Sequence, residues 1–180
     1  MKIWDQDKYQ KAWNFASNAH NGQKLPGSDI PYINHLVLVA MEATATVAHE
    51  RIDNPNILVL CALLHDVIED TSTTFEDVKR DFGIEIADGV LALTKNTELP
   101  SKFEQMKDSI NRIQLQPKEV WMVKLCDRIT NLQPPPMHWD KVKIATYQSE
   151  AQFILEQLGE ASPFLAQRLI VKISDYDQYL

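Results

Sequence analysis

A histidine followed by an aspartate comes directly after a strongly apolar stretch of the chain. Residues 57–64 are all apolar, and His65 and Asp66 follow them. Ionisable side chains at the end of a buried segment need a partner, because burying an unpaired charge costs much free energy. A metal ion is one such partner, and a helix-terminal histidine beside a carboxylate is the alternative. The dipeptide alone leaves both interpretations open.

Two other segments carry side chains of the same kind. Residues 31–35 read PYINH and end in His35, whereas residues 124–132 read KLCDRITNL and contain Asp127. Between them, residues 65–71 read HDVIEDT, which adds two further acidic residues to the His-Asp pair. Imidazole and carboxylate groups are common ligands of catalytic metals, so the three segments together favour a metal centre.

The order of these motifs resembles that of the HD-domain metal-dependent phosphohydrolases: a histidine, then His-Asp, then a distant aspartate. The motifs HDVIEDT and CDRITNL are similar to motifs in the hydrolase domain of the RelA/SpoT alarmone enzymes. They are most similar to those of the small stand-alone hydrolases, which include the metazoan SpoT homologues. The resemblance extends from about His20 to Tyr147, which is most of the chain.

This resemblance implies a metal site formed by His35, His65, Asp66 and Asp127. Two neutral imidazoles and two carboxylates suit Mn²⁺, Fe²⁺, Co²⁺ or Zn²⁺, and they exclude a thiolate-rich structural zinc site. Four protein ligands around a metal that accepts about six leave room for water and a phosphoryl oxygen. The family resemblance favours one manganese ion as the cofactor.

Glu69 and Asp70 lie three and four residues after Asp66. If helical geometry continues for another turn, their carboxylates return toward the metal side. In the resembling hydrolases the equivalent acidic pair positions and deprotonates the attacking water, which implies a catalytic role for both residues. An exposed acidic turn that caps the next helix is the alternative.

The resemblance also implies residues that contact the substrate. Asn131 lies four residues after Asp127 and shares its helix face, where its amide could contact a ribose or a phosphate. Lys102, Lys143 and Tyr147 match phosphate-binding stretches of the small hydrolases, and the last two lie on one helix face. Two solvated lysines and a half-buried tyrosine are the alternative.

The clearest departure from the family follows Gln23. Many relatives carry an Arg-Lys pair there that holds the base and the phosphates, whereas this chain has Lys24, Leu25 and Pro26. Lys24 keeps a positive charge and is assigned to substrate binding. Loss of a guanidinium removes a stacking surface and a bidentate phosphate contact, which puts the preference for guanosine in question.

The implied substrate is guanosine tetra- or pentaphosphate (ppGpp or pppGpp), the alarmone of the stringent response. Metal-activated water would cleave its 3′-diphosphate and leave GDP or GTP and pyrophosphate. One alternative is an HD phosphohydrolase acting on another nucleotide, such as an adenosine alarmone or a 2′-phosphorylated dinucleotide. Another is a nucleotide-sensing module without turnover.

Composition excludes several other classes of function. The 180 residues include 18 Lys and Arg against 25 Asp and Glu, a net charge of −7, so nucleic acid and membranes are not expected partners. No apolar run approaches the roughly 20 residues that a membrane span needs. Two cysteines make no disulfide framework, which favours a cytoplasmic location. The oligomeric state stays open.

The elements that position these residues are all predicted to be helices. Only five glycines are present, fewer than strand-and-hairpin folds normally use. Apolar spacing, first-turn prolines and capping residues predict helices over 5–20, 34–50, 55–65, 73–82, 84–94, 101–113, 118–132, 139–158 and 163–177. We therefore predict an all-α fold, a single compact HD-domain helical bundle formed by residues 1–180.

Two of these helices carry more detailed expectations. A capping box between Thr73 and Glu76 should begin the helix over 73–82, and Gly83 should end it in a left-handed conformation. In the helix over 118–132, apolar residues recur at steps of four, four and three and should face the core; they are Trp121, Leu125, Ile129 and Leu132.

Overall fold

Helices form the framework of the protein in the computed structural model, which describes residues 4–180. That part of the chain contains no β-strand, and a single antiparallel bridge joins Lys24 to Pro31. The helices are α1 (Gln6–Ala19), α2 (Ile33–His49), α3 (Pro55–Leu64), α4 (Val67–Asp70), α5 (Phe75–Phe82), α6 (Ile84–Leu93), α7 (Lys102–Ile113), α8 (Lys118–Asn131), α9 (Lys141–Leu158) and α10 (Pro163–Tyr176). The all-α prediction is confirmed.

The apolar helix α3 occupies the centre of the bundle. All its residues from Ile57 to Leu64 are buried, and α1, α2, α6 and α8 pack around it. A helix that is apolar on every side is stable only when other helices surround it. Its burial therefore fixes the place where the chain leaves α3, at His65.

The structure corrects the predicted start of α5. Thr74 and Asp77 form the capping box, instead of Thr73 and Glu76. The Thr73 amide already donates to the Thr71 hydroxyl at 3.0 Å, so Thr73 belongs to the preceding turn. Gly83 ends α5 with a positive φ of 92°, as predicted. Its ψ of 167° is extended, because the same residue also begins α6.

The predicted core stripe of α8 is correct for three of its four residues. Leu125, Ile129 and Leu132 are buried, whereas Trp121 is only partly buried. The Trp121 indole N–H donates to the Gln116 carbonyl at 3.0 Å. Because its N–H group is hydrogen-bonded to a residue that precedes α8, the indole of Trp121 lies at the border of the core.

No helix among residues 4–180 combines the length and the apolarity that crossing a bilayer would require.

Helix α6 comes very close to α3 and α8 at Gly89. A Cβ at this position would lie 3.0 Å from Cys61 Sγ and 3.0 Å from Val120 Cγ2. Both contacts are shorter than normal packing distances, so a hydrogen at Cα is what allows the three helices to meet.

Gly89→Ala is expected to lower the free energy of unfolding by about 1–3 kcal/mol, because the added methyl overpacks the core. Cys61→Ala removes one of the two opposing atoms, so the double variant should lose less stability than the sum of the single losses. Urea unfolding measures all four proteins. Additive losses would contradict a direct clash between these positions.

Candidate metal centre and substrate cleft

Four ionisable side chains meet where α3 ends. His35 comes from the first turn of α2, His65 and Asp66 from the turn after α3, and Asp127 from α8. The two Nε2 atoms of the histidines lie 3.2 Å apart, and His65 Nε2 lies 2.9 Å from Asp66 Oδ2. His35 Nε2 lies 3.4 Å from Asp127 Oδ1. The structure thus brings all four predicted ligands together.

Three of these residues form a compact group of potential ligand atoms. One atom each from His35, His65 and Asp127 lies within 4.8 Å of the others, and all three residues are buried. Asp66 borders the group through its carboxylate. Nitrogen and oxygen donors in a buried cluster match the preferences of Mn²⁺ and related divalent ions.

His65 and Asp66 lie in a break between two helices, and this break directs their side chains toward His35 and Asp127. Helix α3 ends at Leu64, and α4 begins only at Val67. His65 Nδ1 lies 2.9 Å from the carbonyl of Ala62, one turn earlier. Donation to that carbonyl keeps a proton on Nδ1, so a metal ion that displaces the proton from Nε2 would find a lone pair there that points toward the cluster.

The cluster has the electrostatics of a cation site. Burial lowers the pKa of His65, but Asp66 and Asp127 outweigh that effect and raise it to about 9. Burial raises the pKa of Asp127, but Lys124 and the two histidines hold it well below its usual range. Buried carboxylates that stay ionised attract a proton or a metal ion to the space between them.

Neighbouring side chains fix both aspartates. The Tyr32 hydroxyl donates to Asp66 Oδ2 at 2.5 Å. Lys124 Nζ donates to Asp127 Oδ2 at 2.9 Å, and Asn131 Nδ2 donates to Asp127 Oδ1 at 2.5 Å. Neither Tyr32 nor Lys124 was predicted from the sequence to belong to the site. The spacing of Lys124 three residues before Asp127 was the available signal, whereas only the fold brings Tyr32 to Asp66.

His20 stacks on Tyr32, a contact that no pattern in the sequence predicted. The two rings stack with centroids 4.9 Å apart, and His20 Nδ1 lies 2.6 Å from Gln23 Oε1. His20 is buried, at 4% exposure. The stack limits the movement of the tyrosine that holds Asp66.

Glu69 and Asp70 lie on α4 beside the cluster. Both Glu69 oxygens accept hydrogen bonds from Lys95, which the sequence analysis did not identify. Asp70 is exposed as a whole residue. Partial burial of its carboxyl group and the negative charges of Asp66 and Glu69 raise its pKa. Neither residue caps the next helix, because Thr74 does so. Glu69 and Asp70 both line the cavity that also contains His35, His65, Asp66 and Asp127.

Two adjoining cavities meet at Asp127, one residue of the cluster. The first, the metal-side cavity, has a volume of about 460 Å³ and is lined by all four predicted ligands together with Lys24, Leu25 and Pro26. The second, the α7–α9 cavity, has a volume of about 530 Å³. Both are lined by Glu69, Lys95, Lys124, Asp127 and Asn131.

The α7–α9 cavity is cationic and aromatic. Its walls include the predicted substrate residues Lys102, Lys143 and Tyr147. Lys143 Nζ lies 4.4 Å from the centre of the Trp139 ring, and the Arg128 guanidinium lies 4.4 Å from that of Tyr147. Burial raises the pKa of Tyr147 to about 12, so its hydroxyl stays neutral. Such walls suit a phosphorylated ligand with an aromatic base.

The structure therefore places every predicted substrate residue on the two cavities. Lys24 lies in the metal-side cavity, where its ammonium pairs with Asp29 at 2.5 Å. Asn131 lies between the cavities.

Comparison with known proteins places these features in a family. Residues 12–160 match the family model described as HD domain. The guanosine-3′,5′-bis(diphosphate) 3′-pyrophosphohydrolase MESH1 of Xenopus tropicalis is 29% identical over 88% of this chain and 89% of its own length. The Danio rerio MESH1 is also 29% identical, over 87% of each chain. A guanosine-3′,5′-bis(diphosphate) 3′-pyrophosphohydrolase from Aquifex aeolicus is 35% identical over 71% of this chain but only 18% of its own length.

A solved structure shares the fold. The metazoan SpoT orthologue that hydrolyses ppGpp superposes with a TM-score of 0.82. The match covers 96% of this chain and 97% of the other at 24% sequence identity. The helical arrangement found here is therefore that of a known bundle.

Tyr32→Phe is expected to weaken Mn²⁺ binding about 10–100-fold, because Asp66 loses the donor that orients it. The ring and its stack on His20 are kept. Isothermal titration calorimetry with Mn²⁺ measures the effect. Tyr147→Phe, which removes a hydroxyl from the other cavity, is the matched control and should bind Mn²⁺ like the unmodified protein. Equal affinities of all three proteins would rule out this role for Tyr32.

Proposed function

The chain belongs to the HD-domain family, and from that premise we propose that it hydrolyses the 3′-diphosphate of ppGpp and pppGpp. The observation that carries the proposal is the convergence of His35, His65, Asp66 and Asp127 in the metal-side cavity, which meets the α7–α9 cavity at Asp127. Similarity to the MESH1 enzymes over most of the chain supports the same substrate class. In this function, residues 1–180 would form one HD-type domain that acts in the cytoplasm.

The four converging residues would hold one divalent cation, which we propose to be Mn²⁺. Their mixture of imidazole nitrogens and carboxylate oxygens fits such an ion. When bound, the ion supplies Lewis-acid polarisation of a phosphoryl oxygen and acidification of a water molecule. The protein contributes by keeping the ligands oriented through Tyr32, Lys124 and Asn131.

Glu69 and Asp70 are the proposed catalytic residues. They position the attacking water and accept its proton as its oxygen bonds to the phosphorus next to the ribose. The bond from this phosphorus to the 3′-oxygen breaks, and the ribose oxygen takes up a proton. The products are GDP or GTP and pyrophosphate.

The α7–α9 cavity would hold the charged part of the nucleotide. Lys102 and Lys143 offer ammonium groups to its phosphates, and Tyr147 offers a neutral hydroxyl and a ring face. Asn131 would contact the ribose or a phosphate beside the metal ligands, and Lys24 would act from the metal-side cavity. These local cations allow an acidic protein to bind a polyanion.

A second candidate function is hydrolysis of a different nucleotide. The observation in its favour is the wall at Leu25 and Pro26, beside a lysine that is already paired with Asp29. An apolar wall offers no hydrogen bonds to the base edge and no bidentate phosphate contact. The substrate of this second function would be an adenosine alarmone or a 2′-phosphorylated dinucleotide.

The purified protein is expected to release pyrophosphate from ppGpp in the presence of Mn²⁺. His65→Ala and Asp127→Ala should each reduce this rate to background, because each removes a proposed ligand. His49→Ala is a matched control, since His49 stacks on Phe164 and lines neither cavity. The products are measured by ion-exchange chromatography. Nucleotide binding without any product would instead indicate a sensing module.

The double substitution Lys24→Arg/Leu25→Lys is expected to increase the ratio of kcat/KM for ppGpp to that for the adenosine analogue. The guanidinium restores a stacking surface and a planar donor pair for phosphate. A panel containing both alarmones and a 2′-phosphorylated dinucleotide measures the ratio for both proteins. If the unmodified protein cleaves ppGpp far more slowly than another member of the panel, the second candidate function is the correct one.

A further inference from the structure

Lys95 forms two hydrogen bonds with the proposed catalytic residue Glu69. Its Nζ donates to Oε1 at 2.6 Å, and its backbone N–H donates to Oε2 at 2.9 Å. Both carboxylate oxygens are thus held by one residue, through a rigid and a flexible group at once. Hydrogen bonds to a charged group of this kind are about twice as strong as neutral ones.

The backbone that carries Lys95 is itself fixed. Lys95 follows Thr94, the residue that ends α6. Arg112 of α7 donates to the carbonyls of Leu91 at 2.6 Å and Thr94 at 2.7 Å, and its Nε donates to Asp108 at 2.9 Å. A guanidinium on the free carbonyls of a helix end stabilises that end. The chain therefore leaves α6 in a defined direction.

The contact lies where the two cavities join. Glu69 and Lys95 line both of them, beside Asp127 and Asn131. Burial lowers the pKa of Lys95, but Glu69, Asp127 and Asp66 outweigh it and raise the pKa. The ammonium thus remains charged at neutral pH and balances the carboxylate beside it.

Lys95 and Lys102 both line the α7–α9 cavity, but their ammonium groups differ in whether a partner within the protein already binds them. Lys102 makes no ion pair or hydrogen bond through its ammonium within residues 4–180, so its charge is available to a ligand. The ammonium of Lys95 is already bound to Glu69. Two lysines that line one cavity are therefore placed for different tasks.

We propose that Lys95 is a positioning residue that holds Glu69 in the orientation needed to align the attacking water. An unrestrained glutamate side chain samples many rotamers. If it became ordered only in the transition state, the lost conformational entropy would raise the activation barrier and lower kcat. Lys95 removes that cost by fixing both oxygens in advance. This inference rests on the proposed hydrolytic function, and it concerns the side chain of Glu69 alone.

A double-mutant cycle between Lys95 and Glu69 tests the inference. Lys95→Met is expected to lower kcat for pyrophosphate release about 10–100-fold with little change in KM, an effect typical of lost second-layer support. Glu69→Gln should lower kcat as well, and the double variant should be no slower than Glu69→Gln alone. Lys95→Arg should recover part of the rate, since it keeps the charge.

Lys102→Met is the matched control for the cycle. It should raise KM and combine additively with Glu69→Gln, because Lys102 acts on the substrate and not on the carboxylate. The inference is overturned if Lys95→Met behaves in the same way, with a higher KM, an unchanged kcat and additivity. Lys95 would then be a phosphate-binding residue.

A measurement without substrate separates this inference from the proposed function. Amide hydrogen exchange by NMR reports the bond from the Lys95 N–H to Glu69. Glu69→Ala should accelerate exchange of the Lys95 amide about tenfold, as expected for the loss of a hydrogen bond to a charged acceptor. Lys102→Met should leave it unchanged. If the protein cleaves no alarmone but shows this acceleration, the function fails while the contact stands; unchanged exchange in Glu69→Ala overturns the positioning role.

Discussion

The surrounding of α3 by other helices is the constraint on which the rest of the structure depends. Because this helix is apolar on every side, it is stable only when α1, α2, α6 and α8 cover it. That packing brings the first turn of α2 and the middle of α8 to the point where α3 ends. Two imidazoles and two carboxylates then lie within hydrogen-bond distance at the border of the core. Hydrophobic packing thus supplies the free energy that keeps these charged groups together.

A layer of donors around the cluster keeps its carboxylates in defined orientations. Tyr32 holds Asp66, Lys124 and Asn131 hold Asp127, and Lys95 holds Glu69. Each donor comes from an element fixed elsewhere, by stacking on His20, by the helix α8 or by the end of α6. A site prepared in this way spends little free energy on ordering when a ligand arrives. The same lysines also balance the acidic groups locally, although the chain as a whole carries a net charge of −7.

The two cavities suggest how binding and chemistry are divided. The α7–α9 cavity combines lysines with aromatic faces, whereas the metal-side cavity is bordered by the loop that contains Leu25 and Pro26. The four residues of the proposed metal site line the metal-side cavity, and one of them, Asp127, also borders the α7–α9 cavity. The loop, by contrast, is exposed over most of its length and is held by the bridge between Lys24 and Pro31. In the proposed hydrolase, a change in this loop would therefore alter substrate preference and leave the reaction chemistry the same.

The sequence by itself determined the helical class, nearly all helix positions and the residues that converge on the proposed metal site. The helices follow from local spacing and capping residues, whereas the site residues follow from motifs that resemble those of the HD-domain phosphohydrolases. The structure was needed to show that Thr74, and not Thr73, caps α5, because neighbouring residues compete for the same hydrogen bonds. It was also needed to show that Trp121 lies at the border of the core, where its indole N–H donates to the Gln116 carbonyl. The contacts from Tyr32 to Asp66 and from Lys95 to Glu69 join separate segments, at separations of 34 and 26 residues. Only the tertiary structure decided them, since no local pattern specifies which distant side chains meet when the helices pack.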